Sequence, residues 1–199
     1  MTINTKTLAA IDIGTNAIRL FISNVEEYPT ETLFKKIAFL RVPIRLGEDV
    51  FTTGEIGQQK RKRLCETMQG FSYIMSAFNV ESYKAYATCA MREARNGKSV
   101  AEQIQKECDL NIEIISGTKE AETIFAGGMN EVVDDDKTYL YVDVGGGSTE
   151  VIVYSKSVKI EACSFPLGTV RMLNDAVDKE EMKHFKKWLK NITEKYTPD

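Results

Sequence analysis

The feature that most constrains this chain is an internal repeat. When Asp12 is laid over Asp143, Ala10-Ile11-Asp12-Ile13-Gly14 lies over Tyr141-Val142-Asp143-Val144-Gly145. Each copy is an apolar, strand-like run that carries one aspartate and ends in glycine. Each is followed by hydroxyl or amide residues, Thr15-Asn16 in the first and Ser148-Thr149 in the second, and then by another strand-like run. A repeat of this size points to two copies of one supersecondary unit. Two halves related in this way are expected to face each other across a cleft, with both glycine turns directed inward.

The spacing of apolar residues fills in the rest. Leu8–Ile13, Ala17–Val25 and Thr32–Leu46 read as three meander strands, the third bent near Pro43. Leu64, Met68, Phe71, Met75 and Phe78 follow alternating steps of four and three, which places them on one helix face. Ser82–Thr88 reads as a strand, Ser99–Cys108 as a short helix, Ile112–Ile115 as a strand and Thr118–Asn130 as a helix. Meander strands followed by alternating helices and strands imply a mixed sheet with helices packed on it. The charged turn Asp134-Asp135-Asp136-Lys137 suggests a boundary, giving units 1–132 and 133–199. After it come strands at Tyr139–Val144, Thr149–Ser155 and Val158–Phe165, and a final helix from about Lys179 to Tyr196.

Several function classes are disfavoured by composition. The 199 residues hold 26 Lys and Arg against 29 Asp and Glu, a net charge of −3, which argues against a nucleic-acid partner. No apolar run approaches the ~20 residues of a membrane span, and the polar start resembles no secretory signal. With no export signal, the four cysteines read as reduced, buried thiols of a cytoplasmic protein. The single histidine, His184, has no cysteine near it and no triad partners, so neither a zinc site nor Ser-His-Asp chemistry is expected. Lys60-Arg61-Lys62-Arg63 reads as a solvated helix start, and Trp188 as packing.

The glycine turns carry the chemistry. Glycine allows close approach of a ligand to the backbone and access to positive φ, and successive N–H groups make a concave anion site. Thr15, Asn16 and Ser148 add side-chain donors. An aspartate beside such a nest repels an anion unless a cation sits between them, and Mg²⁺, which takes oxygen ligands and bridges phosphate oxygens, is the natural one. On residues alone, the first turn could be an ordinary hairpin, Ser116-Gly117-Thr118-Lys119-Glu120 a capping box, Arg92 a partner of Glu93, and Arg19 a solvated strand charge. Gly145-Gly146-Gly147 is harder to explain without a ligand, because three glycines between two strands are entropically expensive.

Ala10–Asn16, Ala87-Thr88-Cys89-Ala90-Met91-Arg92, Ile114-Ile115-Ser116-Gly117-Thr118-Lys119-Glu120-Ala121 and Asp143–Glu150 occur in one order. The two turns resemble the phosphate motifs of the actin, Hsp70 and sugar-kinase superfold. All four together resemble the exopolyphosphatase and guanosine-pentaphosphate phosphatase (Ppx/GppA) family, over nearly the whole chain to about Phe165–Thr169. The resemblance implies an α/β, ribonuclease H-like (actin-like ATPase) fold: a mixed five-stranded sheet with helices, followed by an incomplete second copy. It implies Mg²⁺-dependent release of terminal phosphate from inorganic polyphosphate or a guanosine polyphosphate. In that frame Glu120 activates the attacking water. Asp143, Glu150 and Asp12 attend the metal. Gly14, Thr15, Asn16, Arg19, Arg92, Gly145, Gly146, Gly147, Ser148 and Thr149 contact phosphate.

The second unit has only one helix after its meander, so it reads as incomplete beside the family pattern. An open half-unit would expose a sheet edge and an apolar face, which favours a homodimer. Two other readings stay open at this point: a nucleotide-dependent kinase or ATPase of the same superfold, and a non-catalytic module that binds polyphosphate or a guanosine polyphosphate.

Overall fold

The structure is a computed structural model that describes residues 4–126, 137–155 and 158–196. The chain divides into two compact units, Met1–Ile114 and Ile115–Asp199. The sequence-based boundary at 132/133 and the aspartates of its charged turn lie outside the described residues.

The first unit is built on a five-stranded sheet ordered β3-β2-β1-β4-β5: β1 Asn4–Ile13, β2 Ile18–Glu27, β3 Thr32–Val42, β4 Ser82–Ala87 and β5 Glu113–Ile114. The three meander strands are antiparallel, and β4 and β5 run parallel to β1. This is the mixed sheet of the ribonuclease H-like, actin-like fold. One face carries Ile11, Leu20, Leu40 and Ala85, and on it pack α1 (Leu46–Thr53), α2 (Gln58–Ala77), α3 (Cys89–Glu93) and α4 (Gly97–Cys108). The stripe read from the sequence is the buried face of α2, with Leu64, Met68, Phe71 and Met75 inside; Phe78 lies beyond the helix and is exposed.

The third strand is shorter than its apolar run. It ends at Val42, before Pro43, and Leu46 begins α1 instead. Proline cannot extend the ladder. Arg45 then turns the chain in the left-handed region (φ 60°, ψ 52°), and Gly54 closes α1 with φ 79°. Lys60 joins α2 to α1 through Glu48 at 3.0 Å and Asp49 at 2.9 Å.

In the second unit the antiparallel sheet is ordered β6-β7-β8: β6 Thr138–Val144, β7 Thr149–Ser155 and β8 Val158–Phe165. Strand β7 is covered on both sides. Ile152 and Tyr154 pack with Ala121 of α5 (Gly117–Ala126), while Val151, with Phe165 and Leu167, packs under Met182, Phe185 and Trp188 of α7 (Lys179–Lys195). A short helix, α6 (Thr169–Leu173), lies between. Trp188 and Phe185 stack edge-on to Phe165 at 5.6 and 4.9 Å, so the half-buried tryptophan packs against the core, as read. All four cysteines are free thiols, and Cys65, Cys89 and Cys108 are buried. Among the described residues no helix is long and apolar enough to cross a membrane.

Candidate functional site

The β6–β7 turn closes with the Gly145 N–H donating to the Ser148 carbonyl at 2.9 Å. Its carbonyls are then gripped from outside. Gly145 O accepts from Thr169 N–H at 3.0 Å, Gly146 O from Val170 and Arg171 N–H at 2.8 and 3.1 Å, and Gly147 O from the Arg171 guanidinium Nε at 2.9 Å. No peptide bond among the described residues is cis. In a trans peptide the C=O and the following N–H point opposite ways. Three carbonyls pulled toward α6 therefore turn the N–H groups of Gly146, Gly147 and Ser148 away from it together. Gly147 and Ser148 are buried, and no acceptor for the Gly146 or Gly147 N–H is found among the described residues. Buried donors of this kind call for a ligand, and three convergent N–H groups suit an anion.

Of the two uses of glycine read in the sequence, positive φ is not the one found in these turns. Among the described glycines only Gly54 has positive φ. What matters is close approach: a Cβ on Gly145 would stand 3.1 Å from Ser148 O, and one on Gly168 only 2.4 Å from Gly146 C, Gly146 O and Gly147 N.

Beside the turn lies a row of paired residues. Asp143 pairs in register with Glu150, and Glu150 with Ser164. Glu150 is buried at 2% exposure, and its Oε1 accepts from Ser164 Oγ at 2.8 Å. Like charges set directly opposite on neighbouring strands repel, and a buried carboxylate needs compensation. A divalent cation with oxygen preference supplies both. Among the described residues no group of three or more His, Cys, Asp or Glu is placed to hold a metal ion. A carboxylate pair fits Mg²⁺, which keeps waters and takes substrate oxygens beside one or two carboxylates. Burial raises the pKa of Tyr141, and the Asp143 charge raises it further, so its phenol stays neutral at the same face.

Glu120 sits in the first turn of α5, where the macrodipole favours a carboxylate. Its N–H donates to Ser116 O at 2.9 Å, and the Lys119 N–H donates to Ser116 Oγ at 3.1 Å, so Ser116 caps the helix. The cap and the carboxylate are separate groups, so one does not displace the other. The adjoining Ala121 packs on Ile152 and Tyr154. By strand alternation that is also the face of Asp143 and Glu150. Glu120, Asp143 and Glu150 thus belong to one layer of the second unit.

The first unit repeats the turn. Gly14 N–H donates to Ala17 O at 3.1 Å, Thr15 O accepts from Gly47 N–H at 3.0 Å, and Asn16 O accepts from Arg45 N–H at 2.9 Å. The same peptide geometry sends the Asn16 and Ala17 N–H groups outward. Thr15 is buried and Asn16 exposed. At the adjoining end of β4, Thr88 N–H donates to Ile13 O at 3.2 Å and Thr88 O accepts from Arg92 N–H at 3.0 Å, so α3 seats Arg92 beside this turn. Asp12, expected near the metal, already has a cation: Arg19 Nη1 lies 2.5 Å from its Oδ2. Thr149, expected as a phosphate donor, gives its hydroxyl to the Leu167 carbonyl.

Sequence reasoning missed Gly168 and Arg171, which brace the glycine turn, and Ser164, which holds Glu150. Gly168 had a signal, Phe165-Pro166-Leu167-Gly168-Thr169, without a role. Arg171 and Ser164 had none, because register and a five-residue helix bring them to the site.

The family model described as the Ppx/GppA phosphatase family matches residues 21–199. The chain belongs to the Ppx/GppA phosphatase family. A bifunctional 3-dehydroquinate synthase/phosphatase of Fusobacterium nucleatum is 32% identical over 82% of this chain and 25% of its own length. A putative exopolyphosphatase of Haemophilus influenzae is 28% identical over 84% of this chain and 50% of its own. The crystal structure of an exopolyphosphatase from Cytophaga hutchinsonii superposes with a TM-score of 0.78 at 25% identity, covering 94% of this chain and 61% of that one. The chain thus spans a quarter to about half the length of these curated relatives.

Proposed function

We propose that this Ppx/GppA chain carries the phosphate-handling core of a Mg²⁺-dependent phosphohydrolase that removes the terminal phosphate from inorganic polyphosphate, with guanosine pentaphosphate as the related substrate. The observation that carries the reading is the Gly145–Ser148 turn, whose pinned carbonyls leave three N–H groups aimed together beside the Asp143–Glu150 pair. The exopolyphosphatase names of several relatives support the choice of substrate.

The N–H groups of Gly146, Gly147 and Ser148 receive phosphate oxygens as charge-assisted hydrogen bonds. Asp143 and Glu150 would hold Mg²⁺, which when bound neutralises phosphate charge and so eases the approach of a nucleophile. Ser164 keeps the Glu150 carboxylate turned to that task. Glu120 orients a water and accepts its proton, while the departing group is itself a phosphate and needs no acid of its own. In the first unit the Gly14–Asn16 turn and the Arg92 fork offer a further set of phosphate donors.

Phosphate release measured on polyphosphate, guanosine pentaphosphate and ATP, each with and without Mg²⁺, tests this. Mg²⁺-dependent release from polyphosphate is expected. ADP formation from ATP with no release from polyphosphate would refute the reading in favour of an ATPase or kinase. Ligand-dependent thermal stabilisation without any turnover would refute it in favour of a binding module.

A further inference from the structure

One strand of the second unit is open where its counterpart in the first is covered. By the repeat, Leu140, Val142 and Val144 of β6 stand where Ala9, Ile11 and Ile13 stand in β1. In the first unit those three are buried, at 8%, 2% and 0% exposure, and β4 pairs parallel with β1 along Leu8–Ile13. In the second unit their counterparts are 47%, 47% and 55% exposed, and among the described residues β7 is the only strand paired with β6. The core clusters under α5 and α7 include none of the three.

The backbone of this row is open as well. The Gly145 N–H points across the hairpin to Ser148 O, and bonded positions alternate along an antiparallel ladder. The N–H and C=O groups of Leu140, Val142 and Val144 therefore point away from β7. Proteins blunt such edges with short strands, bulges or charge, lysine above all. The other three sheet edges are blunted in these ways. Strand β3 carries Lys35, Lys36 and Arg41, β5 has two residues, and β8 carries Lys159 and Glu161 beside a register shift at Val153/Tyr154. Strand β6 has no lysine, proline or shift, and its pairing with β7 runs unbroken over seven residues.

We infer that β6 is a self-association edge, at which two copies of this chain pair antiparallel about a two-fold axis through Tyr141 and join their three-stranded sheets into one of six. The strand is complementary to itself in that register. Leu140 lies opposite the partner's Val142, and both direct their backbone groups outward, so each such pair exchanges both N–H to carbonyl bonds. The aliphatic rows of the two copies meet on one face. Asp143, the charged residue of the strand, lies opposite the partner's Tyr139, so no like charges face each other. Such an isologous contact closes at two copies. Seven residues reach about 23 Å, and a contact of that length with three aliphatic side chains from each copy is smaller than a standard interface of about 1,600 Å². The dimer is therefore reversible, with a dissociation constant on the order of 10 µM.

Sedimentation velocity of the full chain over a concentration series tests this. Wild type should pass from monomer to dimer around that concentration, while Val142→Lys, which sets a charge on the exposed row, should stay monomeric at concentrations about tenfold higher. Circular dichroism with a melting curve checks that the variant folds. Phe39→Lys, at an exposed position on the β3 edge, should leave the dimer unchanged. Cross-linking reads the register without a charged variant. Under aerial oxidation, Leu140→Cys mixed with Val142→Cys should give far more disulfide-linked dimer than either alone, because a hydrogen-bonded pair stands about 5.5 Å apart at Cα, within disulfide reach. A wild type that stays monomeric throughout would overturn the inference and leave the edge to a strand of another polypeptide. A dimer that survives in Val142→Lys, or that is lost in folded Phe39→Lys, would overturn it too. Equal cross-linking in either cysteine variant alone would overturn the antiparallel pairing about Tyr141.

Discussion

Replacing Gly168 by alanine should cripple the phosphate turn without touching any group that contacts phosphate. The added Cβ would stand 2.4 Å from three backbone atoms of Gly146 and Gly147, against an ordinary contact of 3.4 Å or more, so one strand of backbone must retreat by about 1 Å. Gly168 itself has φ −142°, so the penalty is steric and not conformational. A retreat of that size stretches the bonds to Gly145 O and Gly146 O, now 2.8–3.1 Å, past the hydrogen-bonding range. Three such bonds at about 1 kcal/mol each give a loss of roughly 3 kcal/mol. If polyphosphate is the substrate, a 1 Å displacement of the N–H groups should lower kcat/KM by about 10²-fold. Thermal unfolding and phosphate release read the two effects. Gly70→Ala is the control: nothing lies within 4 Å of its Cβ, and in the interior of α2 the change should stabilise by about 0.5–1 kcal/mol. A Gly168→Ala protein with wild-type melting and activity would show that α6 does not brace the turn.

Three further outcomes follow from the same geometry. Glu120→Gln should abolish phosphate release while leaving polyphosphate binding, measured by fluorescence titration, largely intact; equal loss of both would assign Glu120 to structure. Glu150→Gln removes one carboxylate of the proposed Mg²⁺ pair, and isothermal titration should show Mg²⁺ affinity falling by roughly tenfold or more while the fold persists, since Ser164 can still donate to the amide oxygen. Burial, and secondarily Tyr141, pushes the Tyr154 phenol up to about 12 from its ordinary 10. The unfolded chain therefore loses this proton first on the alkaline side. The contribution is intact below pH 10 and lost as pH rises toward 12. Tyr154→Phe should flatten the fall of melting temperature over that window, and an unchanged slope would contradict it.

The parts legible in the sequence were those with a period or a punctuation mark. The stripe of α2 and the two glycine-ended strands declare themselves because a buried face fixes spacing and a tight turn fixes residue type. The helices α1, α3 and α6 did not, because five to eight residues hold too few turns for a period. The apolar run Thr32–Leu46 masked the change from strand to helix at Pro43. Of the two reasons read for the glycines, positive φ fails, and close approach holds between backbone segments. A sequence shows that Gly146 and Gly147 lack a Cβ, whereas only the fold shows that Gly168 stands on top of them.

The repeat also shows how one scaffold can produce two opposite electrostatic sites. Both turns are closed by the same N–H to carbonyl bond and braced by the backbone of the helix that follows the third strand. The difference lies in one register row. Asp12, Arg19 and Arg41 sum to one positive charge, while Asp143, Glu150 and Ser164 sum to two negative ones. The first row attracts an anion directly. The second calls for a cation before any anion can approach the N–H groups beside it. The strand position facing the aspartate thus sets the sign of each row: a guanidinium at Arg19, a carboxylate at Glu150.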